Sequence, residues 1–495
     1  MSVKVYPVIQ TQDVCTDYTV RINGQTVPVH TARVSAVPMN RRWPGHQREL
    51  EQTELINFLL LESDEKLDFE VTAPDTFASV ELRPRTLGIT PETEGQTIRF
   101  SVEGNAYFTL EPYGRRRALH IFIDPPTNYD VDKNDPNVIY YGPGEHDAGQ
   151  IDLQSGQTLF IDAGAVVYSC ITARGADNIR VLGHGILDNS RNKEKILYEC
   201  NAVDNFAAVE NAERQHCVQL DYCTNTLIDG ITIRDSLLYN IRPVCCDDMT
   251  IQNVKIIGCW RYNSDGIDSH NCRRLTIRNC FLRTFDDSIC VKGMDCWQKP
   301  EDMYYNGICH NNAEDVLVEN CTIWNDWANS LEIGAETRAD EIKNLTYRNC
   351  NIIHVTGPAM GCYNVDRAEV HNVLYENITV EYDEEMQKSV IQKADGEQYV
   401  NPDPDYAPRL IYVNTDYHAE YSEDARRRGK NHHFTYKNIR VYGRHIPWIH
   451  MEGYDETHLT RDMLIDGLYH NDRRITDFKE IKVKLEPFTE NIELK

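Results

Sequence analysis

A short motif returns seven times between residues 227 and 441: an apolar β-like half, an Asn or Asp, and a second apolar half. The copies are residues 227–233, 250–256, 276–282, 317–323, 346–352, 374–380 and 435–441. Their central residues are Asp229, Asn253, Asn279, Asn320, Asn349, Asn377 and Asn438, spaced 24, 26, 41, 29, 28 and 61 apart. A period in the twenties, with short β halves and no helical period, is the mark of a solenoid. A leucine-rich repeat would need its own Leu/Asn framework, which is missing. The expectation is an all-β chain, a right-handed parallel β-helix whose coils stack about 4.8 Å apart. The recurring Asn or Asp belongs at a tight turn, where it tolerates left-handed dihedrals and can bond along the stack. The two long spacings mark inserted loops near 293–312 and 383–432. Residues 158–161 and 179–185 fit as early coils.

Residues 1–125 have a different texture. Tyr18, Val20 and Ile22 alternate along one face, Asn23-Gly24 follows, and residues 25–29 return, which reads as a β-hairpin with a primed turn. Residues 67–71, 97–102 and 119–123 alternate too, so this part is expected to be an N-terminal β-sandwich. Pro125-Pro126 and the polar run 128–137 read as the linker, and residues 138–480 as the β-helix and catalytic domain.

Charge narrows the function. Among 495 residues, 51 Lys+Arg against 77 Asp+Glu leave a net charge of −26, which argues against nucleic acid or an anionic membrane as partner. No stretch approaches the roughly 20 apolar residues that span a bilayer, and Met1 to Cys15 shows no export pattern, so a cytoplasmic location is expected. The 16 cysteines then read as reduced, buried small hydrophobes. No paired Cys-x-x-Cys motifs occur, so neither a metal nor a cofactor is expected. The oligomeric state is open.

In a coil stack, residues one repeat apart lie above one another on the same face. Asp265 falls 21 residues before Asp286, and Asp287 is adjacent. Three carboxylates in neighbouring coils can share one cleft, where crowding raises at least one pKa and leaves another group ionised. Hydrolysis of a glycosidic bond by acid and base needs that arrangement. Asp268 is either a supporting group or a turn residue. Asp247-Asp248 sits in a different phase and reads as turn chemistry.

Asn263-Ser264-Asp265-Gly266-Ile267-Asp268, followed by Phe285-Asp286-Asp287-Ser288-Ile289-Cys290-Val291-Lys292, resembles the active-site core of the polygalacturonase family (glycoside hydrolase family 28). The chain is also similar to the dextranase and isopullulanase family (glycoside hydrolase family 49), which carries an N-terminal β-sandwich. The resemblance covers residues 140–380 loosely and 263–293 specifically. It implies Asp286 as general acid, Asp265 and Asp287 as the pair that orients and deprotonates water, and inversion at the anomeric carbon. Acid and base should then stand roughly 6.5–9.5 Å apart.

Two departures bear on the substrate. Where the pectinases carry a Gly-His-Gly block, this chain has Ala328 to Gly334, with the histidine either replaced by Asn329 or absent. Near residues 361–364 it lacks the Arg-x-Lys that pairs with a galacturonate carboxylate. With the net acidity, these favour a neutral glycan such as an α-glucan, dextranase-like. The alternatives are a pectin-type polygalacturonase, a uronate lyase that needs calcium, and a glycan-binding β-helix with no turnover. Expected substrate contacts are Asn263, Asp268, His270, Lys292, Trp297, Trp327 and Glu332. Trp324 is expected in the core. Glu336 and Tyr304-Tyr305 are further candidates for the cleft, and the two inserts could close one end of it.

Overall fold

The computed structural model describes residues 3–9, 14–36, 53–191, 216–261, 263–294, 311–383, 406–419, 421–422 and 427–495. From strand Val138–Tyr141 to strand Thr489–Leu494 the chain winds as a parallel β-helix, whose strands join into one continuous sheet. The stack thus runs past residue 480. Each strand pairs in parallel register with the equivalent strand of the next coil, except for the short antiparallel return Arg473–Ile475 against Thr460–His470.

The register explains why the sequence winds this way. On the face that carries the site, Val218, Ile241, Ile267, Ile289, Leu331, Met360, Ile411 and Ile449 stack as one inward column, all of them buried. Each such side chain contributes about 1.5–3 kcal/mol of apolar burial. A second column stacks Tyr347 on Tyr375 on Tyr436, with ring centroids 4.6 and 5.1 Å apart. The cysteines pack as expected: twelve of the thirteen cysteines described are buried, and Cys15 is half-buried.

The repeated Asn also behaves as its spacing implies. Asn253, Asn279, Asn320, Asn349, Asn377 and Asn438 all take φ between 53° and 56°, a region that asparagine tolerates. Their side chains bond up the stack: Asn253 to Asp229 at 2.8 Å, Asn320 to Asn279 at 3.2 Å, Asn377 to Asn349 at 2.9 Å and Asn438 to Asn377 at 2.7 Å. At the first copy Gly230 takes the left-handed dihedral in place of Asp229. Asp248 is left-handed as well (φ 55°), and its carboxylate holds Arg274 of the next coil at 2.7 Å.

The N-terminal part forms two facing sheets. Thr19–Ile22 and Gln25–Val27 make the expected hairpin, with Asn23 and Gly24 at φ 50° and 80°. They join Lys66–Thr72, Thr97–Glu103 and Glu92–Glu94 in one sheet, opposite a sheet centred on Thr53–Glu62. The latter strand is unreadable from alternation, because six of its ten residues, Ile56 to Leu61, are buried in succession.

The sandwich is fastened to the β-helix by buried ion pairs. Lys255 reaches both oxygens of Asp124 at 2.9 Å, with both residues fully buried. Arg83 meets Glu381 at 2.6 Å, and Arg115 meets Asp326 at 3.2 Å and Asp383 at 3.1 Å. His354 bridges Glu111 at 3.0 Å and Asp383 at 2.8 Å. Trp324 lies in this seam, fully buried as expected, its indole N–H donating to Asp326 at 2.8 Å.

Candidate active site

Asp265 precedes strand Ile267–His270, and Asp286 and Asp287 precede strand Ile289–Gly293 one coil later. The Gly266 amide donates to the Asp287 carbonyl at 2.8 Å, which stacks Asp265 on Asp287. One oxygen from each of Asp265, Asp286 and Asp287 lies within 4.8 Å of the other two. That spacing is tighter than the 6.5–9.5 Å gap expected between acid and base. A divalent cation could bridge these oxygens, but the buried Lys292 ammonium already supplies positive charge there. It stands 2.6 Å from Asp268, 3.4 Å from Glu336, 3.7 Å from Asp265 and 4.0 Å from Asp287.

The turn is tightly held. Asn325 and Thr284 donate to the Asp286 carbonyl at 2.9 and 2.8 Å. The Asp286 carboxylate accepts the Asp287 amide at 3.0 Å. Asn329, where the resemblance expects histidine, clamps Asp287 through its backbone N–H and its side-chain amide, both at 3.0 Å. The sequence showed Asn329 only as a departure. Its partner lies 42 residues upstream, and the insert between them hides the one-coil relation.

Crowding orders the protons. Burial, then the Asp287 charge, pushes Asp286 up to about 8. Burial pushes Asp287 only to about 6, because Lys292 and the Asn329 donors oppose it. Asp265 is driven well above the usual range by burial, Asp268 and Asp286, and Asp268 is raised chiefly by burial while Lys292 opposes. Near neutral pH, Asp287 is the carboxylate in this trio that ionises first, and Asp286 retains its proton.

Glu332 lies one coil further on, stacked over Cys290 and followed by Gly361. A Cβ at Gly361 would sit 1.8 Å from Glu332 Oε2, so the glycine makes room for that carboxyl. Glu332 Oε2 has no hydrogen-bond partner, and burial and the Asp287 charge hold the group well above the ordinary range. Glu332 is thus a further neutral acid in the site, beside Asp286 and Asp265.

The other expected contacts divide. Asp268 and Lys292 are part of the cluster. His270 stacks beside Lys292 in the next register position, fully buried, its ring kept neutral by burial and by Arg242 and Lys292. Asn263 forms the left-handed turn before Asp265. Trp327 is half-buried with its ring 6.0 Å from Phe285, packed partly on the core. Trp297 and Tyr304-Tyr305 lie outside the described residues. Tyr239 was not anticipated; its ring lies 5.3 Å from the Lys292 ammonium. Asp287 and Glu336 are the most open members of the cluster, with side chains 13% and 26% exposed.

Comparison with known proteins points the same way as the motif. The model of the family described as glycosyl hydrolases family 28 matches residues 150–394. A polygalacturonase of Gossypium barbadense is 29% identical over 116 residues, 23% of this chain and 27% of its own length. The chain thus spans about a quarter or less of the length of the curated relatives it matches. Among solved structures, Dex49A from Penicillium minioluteum aligns with 100% of this chain and 98% of its own at TM-score 0.59 and 14% identity. The Yersinia enterocolitica family 28 exopolygalacturonase aligns with 99% and 96% at TM-score 0.50 and 14% identity. These two likenesses speak for the fold.

Proposed function

We propose that this chain, a family-28-like protein across the residues that build its acidic cluster, is a glycoside hydrolase acting on an acidic, polygalacturonan-type glycan. The observation that carries the hydrolase reading is the mutual approach of Asp265, Asp286 and Asp287 within 4.8 Å around a single buried lysine. Asp286, protonated near neutral pH, donates its proton to the leaving glycosidic oxygen. Asp287, held by Asn329, takes a proton from the attacking water, and Asp265 orients that water. Lys292 offsets the charge of the cluster, so that one carboxylate can ionise among the others. Glu332, neutral and with a free oxygen, hydrogen-bonds a substrate hydroxyl.

The acidic substrate replaces the neutral α-glucan expected from net charge and from the absent Arg-x-Lys. The sequence relatives are named polygalacturonases, whereas the dextranase likeness lies at 14% identity. Net charge is a global sum, and substrate binding is decided by local groups.

A second stereochemical reading has one observation in its favour. Carboxyls about 5–5.5 Å apart suit a retaining double displacement better than a water placed between them, and the trio is that compact. Inversion remains the principal reading because three carboxylates, with two available for the water, match the motif by position.

The test is a screen of polygalacturonate, dextran and other neutral α- and β-glycans, with D286N as control and a chelator arm. New saturated reducing ends from polygalacturonate, absent with D286N and indifferent to chelator, support the reading. Hydrolysis of neutral glycans alone would overturn the substrate class. Unsaturated products lost with chelator would indicate a lyase, and binding without turnover a glycan-binding protein.

A further inference from the structure

The outward column that begins at Asp268 continues through Cys290, Glu332, Gly361, Tyr412 and His450 on successive coils. Three and four coils past Asp287, about 14–19 Å along the stack, cationic and aromatic side chains join the carboxylates of Glu452 and Glu486, whose charges reach Tyr412 and His450. The Arg409 guanidinium lies 4.3 Å from the Tyr412 ring centroid and 4.9 Å from that of Trp448. The Lys482 ammonium lies 3.8 Å over the other aromatic partner, Trp448. Tyr363 stands 6.1 Å from Tyr412, one coil nearer Glu332.

Several polar groups of the shelf lack partners. Half-exposed arginines elsewhere in the stack hold carboxylates: Arg273 on Asp247 at 2.5 Å and Arg348 on Glu319 at 2.7 Å. Among the described residues, Arg409 has no carboxylate within ion-pairing distance. Its Nε, the indole N–H of Trp448 and both ring nitrogens of His450 are buried without a hydrogen-bond partner. Glu486, already bound to Lys484, is 3.9 Å from His450. His450 is 6% exposed, and burial, with Arg409 and Lys484, lowers its pKa to about 4, so it offers one donor and one acceptor at neutral pH. Buried groups left in this state are uncommon and signal a missing partner. An arginine fixed between aromatic faces is preorganised for a carboxylate, which it can grip through two N–H groups.

We propose that Arg409, Tyr412, Trp448, His450 and Lys482 form a distal subsite that binds the carboxylate-bearing sugar of a glycan whose scissile bond lies at Asp286. The aromatic faces take the ring, and Arg409 and Lys482 take the carboxylate. This inference rests on the acidic-glycan reading and deepens it: the carboxylate is read one coil or more beyond residues 361–364, where the Arg-x-Lys pair is absent.

The test measures binding to the full chain carrying D286N, with three probes: trigalacturonate, hexagalacturonate and the carboxyl-reduced neutral hexamer. A trimer centred on the acid cluster falls short of the shelf. Adding R409Q, or separately K482Q, should weaken hexagalacturonate about tenfold or more, the scale of a lost charge-assisted hydrogen bond. Trimer affinity should stay unchanged, and the neutral hexamer should not distinguish the variants. Lys482 is exposed, so K482Q decides the matter even where R409Q fails to fold. Equal hexamer affinity in folded variants and parent, or equal loss for trimer and hexamer, would overturn the proposal. An intact D286N-sensitive hydrolysis of polygalacturonate alongside unaffected hexamer binding would sink the shelf and leave the activity standing. No hydrolysis of polygalacturonate by the wild type would sink the activity reading; the shelf then stands if hexamer binding depends on Arg409 and falls if it does not.

Discussion

Replacing Asp286 by Asn should disable the enzyme and stabilise the protein, and the stabilisation should depend on pH. Asp286 is 7% exposed, and its pKa is pushed from an ordinary 3.8 to about 8. Holding a proton in the folded state that the unfolded chain releases costs native stability as pH rises above about 3.8, and the cost levels off above about 8. Each pKa unit is worth about 1.36 kcal/mol, so at pH 7 the cost is about 4 kcal/mol. Asparagine is nearly the same shape and never ionises, so D286N should recover up to about that amount at pH 7 and almost nothing at pH 4. For 495 residues, with about 2.1 cal/mol/K of unfolding entropy per residue, this is a rise of about 2–4 °C in Tm. The same substitution removes the proton donor, and kcat should fall by about 10²–10⁴. Thermal unfolding across pH 4–8, with turnover assayed on the same preparations, reads both effects. A Tm difference that does not grow with pH would refute the electrostatic reasoning. Near-wild-type turnover would refute the role of Asp286.

The pH–rate profile should be a bell, its acid limb near pH 6 where Asp287 takes up a proton and its alkaline limb near pH 8 where Asp286 loses its own; a rate that keeps rising through pH 9 would contradict this assignment. G361A places a methyl where Glu332 Oε2 now sits, and should cost about 1–3 kcal/mol of stability and lower kcat/KM; unchanged kinetics would remove Glu332 from the substrate site. K255M removes the lysine partner of buried Asp124 in the seam between sandwich and β-helix and should destabilise the protein by about 3–5 kcal/mol, measured by urea unfolding; a neutral outcome would show that the Lys255–Asp124 pair adds no net stability to the seam.

The fold was legible because a coil stack repeats its instructions. One Asn in each turn, read at intervals in the twenties, was enough to place six left-handed dihedrals and most of the side-chain ladder. Asp265 and Asp287 were legible for the same reason, since no insert separates their coils. Asn329 was not, because the 293–312 insert breaks the period between it and Asp287. The buried seam was illegible in principle: Lys255 finds Asp124 131 residues away, and no local pattern encodes such a partner. Strand Thr53–Glu62 shows no alternation because both its faces are covered. The neutral-glucan expectation leaned on the net charge, which averages over the whole chain and takes no account of local cations such as Arg409 and Lys482.

The measurement that most directly tests the central claim is proton NMR of the first products released from an oligogalacturonide. A proton donor (Asp286) and a water-deprotonating carboxylate (Asp287) on one turn, with the water-orienting Asp265 one coil before, predict saturated fragments whose new reducing end first has the inverted anomeric configuration. A retained configuration would contradict the water-activating role of Asp265 and Asp287, and an unsaturated terminus would contradict hydrolysis itself.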